Sequence, residues 1–215
     1  QVDLYLKDRP SPYDEFPDIG TEPNLSPITW ESGDIWVRND NNGFNTDISQ
    51  NPQYTVGVTR KVYVRVRNRG CQNSKGTETL TLYWSKAGTY HNWPAPWNGA
   101  PIGGQVLGGV INTQTIPVVP HGDQVILEFD WQIPNPSSFG TGDVDLNNDG
   151  IPDGWHFCLL ARINSAEDID GVQLVGNNMT NILKGSNNFA MRNTTVVDFS
   201  IQLHSGVNHN GTIMV

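Results

Sequence analysis

The sequence is poor in charge and has no long apolar run. Charged residues make up 16% of the 215 residues, and 13 Lys and Arg stand against 22 Asp and Glu. The formal net charge of −9 argues against a nucleic-acid partner, because phosphates require a basic face. No apolar run approaches the roughly 20 residues that cross a bilayer, so the sequence predicts no membrane span.

Complete catalytic motifs are also missing. The chain contains no GxSxG nucleophile turn, no HExxH zinc motif and no CxxC pair, and its five His are scattered. The sequence therefore predicts that the protein is not an enzyme. A hydrolase remains the third-ranked alternative, because two catalytic carboxylates can come from distant positions.

Turn-forming residues are abundant instead, with 22 Gly, 14 Pro and 23 Asn in the chain. Such a composition favours strands joined by turns over helices. The chain begins at Gln1 rather than at an initiator Met, as a chain released from a precursor does. We expect a secreted protein, located extracellularly or at a cell surface.

Two cysteines, Cys71 and Cys158, are present. An even count in a secreted chain predicts one disulfide, which would close a long loop and stabilise the fold by roughly 4–5 kcal/mol. The alternative is two buried free thiols.

Alternation of apolar and polar residues recurs through most of the chain. In the stretch 61–67, Val62, Val64 and Val66 share one face, which predicts a half-buried antiparallel strand. Residues 113–119 and 124–131 flank a Pro-His-Gly-Asp turn and predict a hairpin-like pair, and the nearly continuous apolar run 155–163 predicts a central strand. The expected fold is an all-β, immunoglobulin-like sandwich of about seven to nine antiparallel strands.

Two regions are distinguished along the chain. Residues 1–33 are predicted to form a short strand, Val2–Lys7, and a proline-rich arm. Residues 34–215 are predicted to form the sandwich, with an irregular insertion at 88–109. The arm lets the terminal strand pair with a neighbouring subunit, as in self-assembly, or with its own sandwich.

A family resemblance supports this fold. The stretch 62–71 (VYVRVRNRGC), together with 34–39 (DIWVRN), 155–163 (WHFCLLARI) and 193–198 (NTTVVD), resembles the CARDB-type, fibronectin-III-like domains of secreted bacterial proteins. The resemblance covers roughly residues 34–200 and implies a β-sandwich module that serves as a spacer, binding domain or assembly unit.

One loop, residues 143–156 (DVDLNNDGIPDGWH), has the pattern of a cation site. Ca²⁺ prefers six to eight oxygen ligands, and alternating side chains of a tight loop can converge on one ion. The loop is similar to the aspartate-rich loops of thrombospondin type 3 and dockerin-like repeats. The sequence predicts a structural calcium site with Asp143, Asp145, Asn147, Asp149, Ile151 (through its carbonyl) and Asp153 as ligands. The alternative is a solvated acidic turn.

Trp93 and Trp97 lie in the Pro- and Gly-rich insertion. Flat aromatic side chains in loops can stack on sugars, although they can equally cover one end of a sandwich. The sequence therefore predicts a secreted, calcium-binding, structural or adhesive module whose partner is another protein subunit or a surface polysaccharide. A lectin-like carbohydrate-binding module using Trp93 and Trp97 is the second-ranked alternative.

Overall fold

The computed structural model describes residues 1–8, 28–89, 92–139, 155–167 and 176–198. Most regular structure in these residues is β-strand. The elements are β1 (Leu4–Tyr5), β2 (Ile35–Arg38), β3 (Gln53–Tyr54), β4 (Thr59–Asn68), β5 (Thr79–Lys86), β6 (Gly108–Thr115), β7 (Gln124–Gln132), a 3₁₀ turn (Pro136–Phe139), β8 (His156–Asn164), α1 (Met179–Gly185), β9 (Phe189–Thr195) and β10 (Val197–Asp198).

The first sheet is built around β4. Strand β7 runs antiparallel along one edge of β4, from the pair Thr59–Gln132 to the pair Arg67–Gln124. Strands β1 and β2 pair with successive stretches of β4, β2 with residues 61–64 and β1 with residues 67 and 68. The strand predicted at 61–67 is therefore the centre of this sheet.

The second sheet has the order β6-β5-β8-β9, and every pairing in it is antiparallel. The two sheets together form the predicted all-β, immunoglobulin-like sandwich, which is confirmed. A short parallel pair, β3 with β10, is the exception to the antiparallel pattern among the described residues.

The main core lies between the two sheets. Val62, Val64 and Val66 are all buried in it, as their alternation predicts, and Leu80 and Leu82 of β5 belong to the same cluster. Burying a side chain of this size contributes roughly 1.5–3 kcal/mol to stability, so these rows hold the sheets together.

A second apolar cluster covers part of the outer face of the second sheet. Strand β8 contributes to both clusters: Phe157 and Leu159 lie in the main core, while Cys158 and Leu160 lie in the second cluster. Because both faces of β8 are covered along this stretch, its sequence is nearly continuous in apolar residues rather than alternating.

The hairpin predicted around residues 120–123 is not formed. Strand β6 pairs with β5 in the second sheet, whereas β7 pairs with β4 in the first. The connection therefore crosses between sheets, and Ile116 and Val119 within it are buried in the main core. These two buried side chains anchor the connection to the core, whereas Pro117, Val118 and residues 120–123 are exposed.

The predicted disulfide between Cys71 and Cys158 is wrong: both cysteines are free. Cys71 is exposed, just beyond the end of β4, whereas Cys158 is buried in the middle of β8, where it faces Ser85 of β5 and Asn193 of β9. The Cys158 thiol donates a hydrogen bond to Asn193 Oδ1 at 3.0 Å. Cys158 thus belongs to the second sheet, whereas Cys71 lies in the exposed segment that follows a strand of the first.

The N-terminal strand pairs with its own sandwich. Val2, Leu4 and Leu6 are buried in the main core, and the Leu6 amide donates to the carbonyl of Asn187 at 2.9 Å. Of the two alternatives for this strand, the structure favours pairing in cis.

Candidate functional site

The outer face of the second sheet is divided into a covered half and an exposed half. Alternate residues of a strand share a face, so the cross-strand register defines the rows of this surface. One row is packed in the second apolar cluster. It consists of Leu160 on β8 with its cross-strand neighbours Tyr83 on β5 and Met191 on β9. On β8, β5 and β6 the two rows beyond it are polar: the first consists of Arg162, Thr81 and Thr113, and the second of Asn164, Thr79 and Thr115.

The covered half lies beneath α1 and the insertion. Met179, Ile182 and Leu183 of α1 are buried against the sheet. The Asn178 side chain accepts a hydrogen bond from the Asn181 amide at 3.1 Å and so caps the start of this helix. The insertion and the helix form one layer over this part of the sheet.

Trp97 is part of that layer's interior. Its side chain is fully buried in the second apolar cluster, with 0% exposure. The prediction that Trp97 contacts a ligand is therefore wrong, because a ring without accessible area has no face for a sugar.

Trp93 stands at the border between the two halves and is partly buried. Its amide donates to the carbonyl of Asn177 at 2.7 Å, which ties the insertion to the segment before α1. The indole ring packs edge-to-face on Tyr83, with centroids 5.5 Å apart, and on Phe189 at 5.4 Å. Its position beside the polar rows leaves it at the rim of a surface rather than at the centre of one.

Arg162 lies on the first polar row, next to Trp93. Its guanidinium carbon is 5.3 Å from the centroid of the Trp93 ring and 5.4 Å from that of Phe189. Such contacts stabilise the cation at this position. Among the described residues Arg162 forms no ion pair, and its Nε atom is buried without a hydrogen-bond partner.

The cations of the first sheet are arranged differently. The Lys61 ammonium lies 2.6 Å from Glu128 and 2.9 Å from Asp130, and these hydrogen bonds raise the pKa of Lys61. Arg65 pairs with Asp47 at 3.0 Å. The outer side of that sheet therefore carries positive charge that is already compensated.

The rest of the two polar rows is neutral. The hydroxyl oxygens of Thr81 and Thr113 are 2.9 Å apart, which confirms that the neighbouring strands present them on one surface. Thr113, Thr115 and Asn164 are exposed, while Thr79, Thr81 and Arg162 are partly buried. These six residues form what we call the open face (Thr79, Thr81, Thr113, Thr115, Arg162 and Asn164).

A groove of about 400 Å³ lies elsewhere, at the junction of β1, β4 and β7. Its walls include Arg67 and Arg69. Arg67 donates to both carboxylate oxygens of Asp34, at 2.9 and 3.0 Å, and Arg69 donates to Asp3 at 2.6 Å. Because both cations are engaged with internal carboxylates, the open face is the stronger candidate for a binding site.

The predicted calcium ligands lie outside the described residues, which include none of positions 140–154. Within the described part of the chain, no group of three or more His, Cys, Asp or Glu side chains is placed to hold a metal ion. After the loop, Trp155 is buried in the main core and the chain continues directly into β8. The calcium site therefore stays a prediction.

Reasoning from the sequence did not identify the open face. The signal was present, because TLT at 79–81 and TQT at 113–115 place two Thr each on one side of a strand. What the sequence does not contain is the pairing of β5 with β6 and β8, which brings these residues together with Arg162. No helix among the described residues is both long enough and apolar enough to span a membrane.

Neither a family model nor a curated protein matches the chain. Solved structures with a similar fold include a CARDB domain from Pyrococcus furiosus, crystallised in complex with di-metal ions, at 15% identity and a TM-score of 0.36. The alignment covers 69% of this chain and 83% of that domain. The fold assignment rests on the strand order and register described above.

Other similar structures are parts of larger enzymes. A β-glucosidase from Listeria innocua, solved with glucose, aligns at 11% identity and a TM-score of 0.33, and one from Erythrobacter marinus aligns at 15% and 0.34. Each alignment covers 69% of this chain but only 15% and 14%, respectively, of the enzyme chain.

Proposed function

We propose that this β-sandwich module is a secreted, non-catalytic adhesive module that binds its partner through the open face. The observation that carries the proposal is the pair of polar rows on the second sheet, which consist of Thr and Asn side chains with one Arg and are bordered by Trp93. Strands of a sheet are spaced about 4.8 Å apart, so hydroxyl and amide groups are presented on a rigid surface. Such a surface suits contact with an extended partner.

A binding role fits this face better than a catalytic one. General acid–base catalysis needs groups that exchange protons near neutral pH. Thr and Asn side chains do not, and Arg keeps its proton throughout. We therefore place the protein among modules that recognise a surface.

As partner we propose a surface polysaccharide. Threonine hydroxyls and the Asn164 amide can donate to and accept from sugar hydroxyls, and the half-buried Trp93 adds an aromatic rim. Self-assembly through the N-terminal arm is less well supported, since Val2, Leu4 and Leu6 already occupy the chain's own core. Lectin-like recognition is thus assigned to the open face with Trp93, and not to Trp97.

We further propose that the loop 143–156 binds Ca²⁺ as a structural staple. The loop leads into β8, whose side chains belong to both apolar clusters. Fixing the start of β8 would stabilise the sheet that carries the open face. This role needs no conformational switch.

The test is cosedimentation of the purified protein with cellulose, chitin and cross-linked alginate, with reducing sugar measured in the supernatant. We expect at least one matrix to retain the protein without release of sugar. Retention by none of the three would contradict the adhesive role. Release of sugar that a point mutation abolishes would contradict the non-catalytic assignment.

A further inference from the structure

The open face contains a single charge, and that charge has no counter-ion among the described residues. Every other side chain of the face is a neutral Thr or Asn, whereas Arg162 packs against both Trp93 and Phe189. Burying part of a guanidinium without an anion or a full set of acceptors is unfavourable. A ligand that supplies an anion at this position would remove that cost.

We propose that the open face binds a saccharide that carries a carboxylate, such as a uronate, with Arg162 as the group that recognises the carboxylate. This assignment rests on the proposed adhesive role of the open face, but it does not depend on the calcium loop. A guanidinium presents two parallel N–H groups whose geometry matches a carboxylate. The contacts with the two aromatic rings restrict the Arg162 side chain before any ligand arrives, so less side-chain entropy is lost on binding.

The neighbours of Arg162 favour a sugar over other anions. Thr81 lies directly opposite Arg162 across the strand pair, and Thr113 lies beside Thr81 on the next strand. These hydroxyls can bind the ring hydroxyls of a sugar whose carboxylate reaches Arg162.

The overall charge limits the ligand further. With a net charge of −9, the protein repels densely charged polyanions such as nucleic acids. A single arginine on a neutral face matches one carboxylate per binding site. The ligand class that fits best is therefore a sugar with one carboxylate rather than a polyphosphate or a sulfated chain.

The test compares two ligands by isothermal titration calorimetry: a hexasaccharide that contains one galacturonate among neutral sugars, and the same hexasaccharide with that carboxylate reduced to an alcohol. We expect the reduced form to bind at least about tenfold more weakly, because a charge-assisted hydrogen bond is lost. Equal binding of the two forms would overturn the assignment, as would failure of the galacturonate to bind. If the neutral form binds as tightly as the galacturonate form, the adhesive role stands and only the carboxylate assignment fails.

Substitutions of Arg162 test whether this residue binds the carboxylate of the saccharide. Arg162→Gln should lose at least about tenfold in affinity for the galacturonate, and Arg162→Lys should fall in between, because lysine keeps the charge but not the paired N–H groups. Arg60→Gln is the matched control, since Arg60 lies on β4 and bonds to the Gln53 carbonyl. If Arg162→Gln binds as tightly as wild type, the proposal is wrong.

Two further measurements are needed. One distinguishes loss of binding from loss of folding, and the other tests whether the ligand is a saccharide. Thr81→Val with Thr113→Val leaves Arg162 and its two rings in place, so weaker galacturonate binding in this variant supports sugar recognition even if Arg162→Gln unfolds. Unchanged binding in it would contradict the role of the hydroxyl row. A hexaglutamate peptide that binds as tightly as the galacturonate would overturn the saccharide class.

Discussion

Cys71 and Cys158 lie in opposite environments, and their thiols therefore differ in reactivity. Cys71 is exposed, while Cys158 is buried in the second sheet. Burial is the main cause that raises the pKa of Cys158 to about 12, because a thiolate is poorly solvated there. The thiolate is the nucleophile, so Cys158 is unreactive in the folded protein.

Labelling with a maleimide at neutral pH should therefore modify one cysteine in the native protein and two after denaturation. Mass spectrometry of the tryptic peptides should place the native label on Cys71. A Cys71→Ser variant serves as the control and should take up no native label. Absence of label from both cysteines in non-reduced, denatured protein would instead indicate the disulfide that the structure lacks.

The raised pKa of Cys158 also predicts a pH dependence of stability. Above about pH 9 the unfolded chain loses the thiol proton, whereas the folded chain keeps it up to about pH 12. Between these pH values the folded state keeps the Cys158 proton and the unfolded state does not. The free energy of unfolding therefore falls as pH rises from about 9 to about 12. Urea titrations of wild type and Cys158→Ala from pH 8 upward measure the effect, and an equal slope in both would contradict it.

At the scale of elements, β1 is the clearest case of a short strand held by the core. Only two of its residues are in the strand, yet Leu4 is fully buried in the main cluster and β1 pairs with β4. Pairing in cis predicts a melting temperature that does not depend on protein concentration. A strand exchanged between subunits would make the melting temperature rise with concentration.

Leu4→Ala should lower the free energy of unfolding by about 2–5 kcal/mol, because it leaves a cavity between the sheets. Ile48→Ala is the control, since Ile48 is 71% exposed and its truncation should change little. Thermal melts at three protein concentrations check both predictions together. A concentration-dependent melt, or a Leu4→Ala loss no larger than that of the control, would contradict cis pairing.

The strands could be predicted from the sequence, whereas the layer over the second sheet could not. Alternation in β4 reports directly on one buried face, and Val62, Val64 and Val66 lie where it places them. The helix α1 spans only Met179–Gly185, which is too short for a helical period to stand out. Its stability comes from tertiary burial, which local sequence does not reveal.

The open face was missed for a related reason. Thr81 and Arg162 are far apart in the chain and become neighbours only through the pairing of β5 with β8. Nothing in the sequence favours one tryptophan of the insertion over the other as a ligand contact. In the structure Trp97 is buried, whereas Trp93 is only partly buried. Which aromatic ring reaches the surface depends on how the insertion packs on α1, and this is a long-range property.

At the scale of the whole molecule, the predicted calcium-binding sequence lies in the chain between β7 of the first sheet and β8 of the second. It precedes Trp155, which is buried in the main core at 6% exposure. A ligand that binds only the folded state adds about 2.7 kcal/mol at a hundredfold excess over its Kd. Chelation with EGTA should therefore lower the melting temperature of the wild type.

Asp149→Ala should melt at a temperature that EGTA does not change, because a proposed ligand is lost. Asp130→Ala is the control with the same change in charge; Asp130 lies on β7, where Lys61 keeps Glu128 as its second partner. Scanning calorimetry with and without calcium measures both. Identical melting of calcium-free and calcium-loaded wild type would contradict the staple.

Adhesion through the open face is tested most directly by one comparison of retention. Thr113→Glu places a negative charge on the open face, whereas Thr59→Glu makes the same change at an exposed position on β4. Both proteins are applied to whichever of cellulose, chitin and alginate retains the wild type. We expect Thr113→Glu to pass through while Thr59→Glu is retained; equal retention of the two, or a wild type that no matrix holds, would contradict adhesion through the open face.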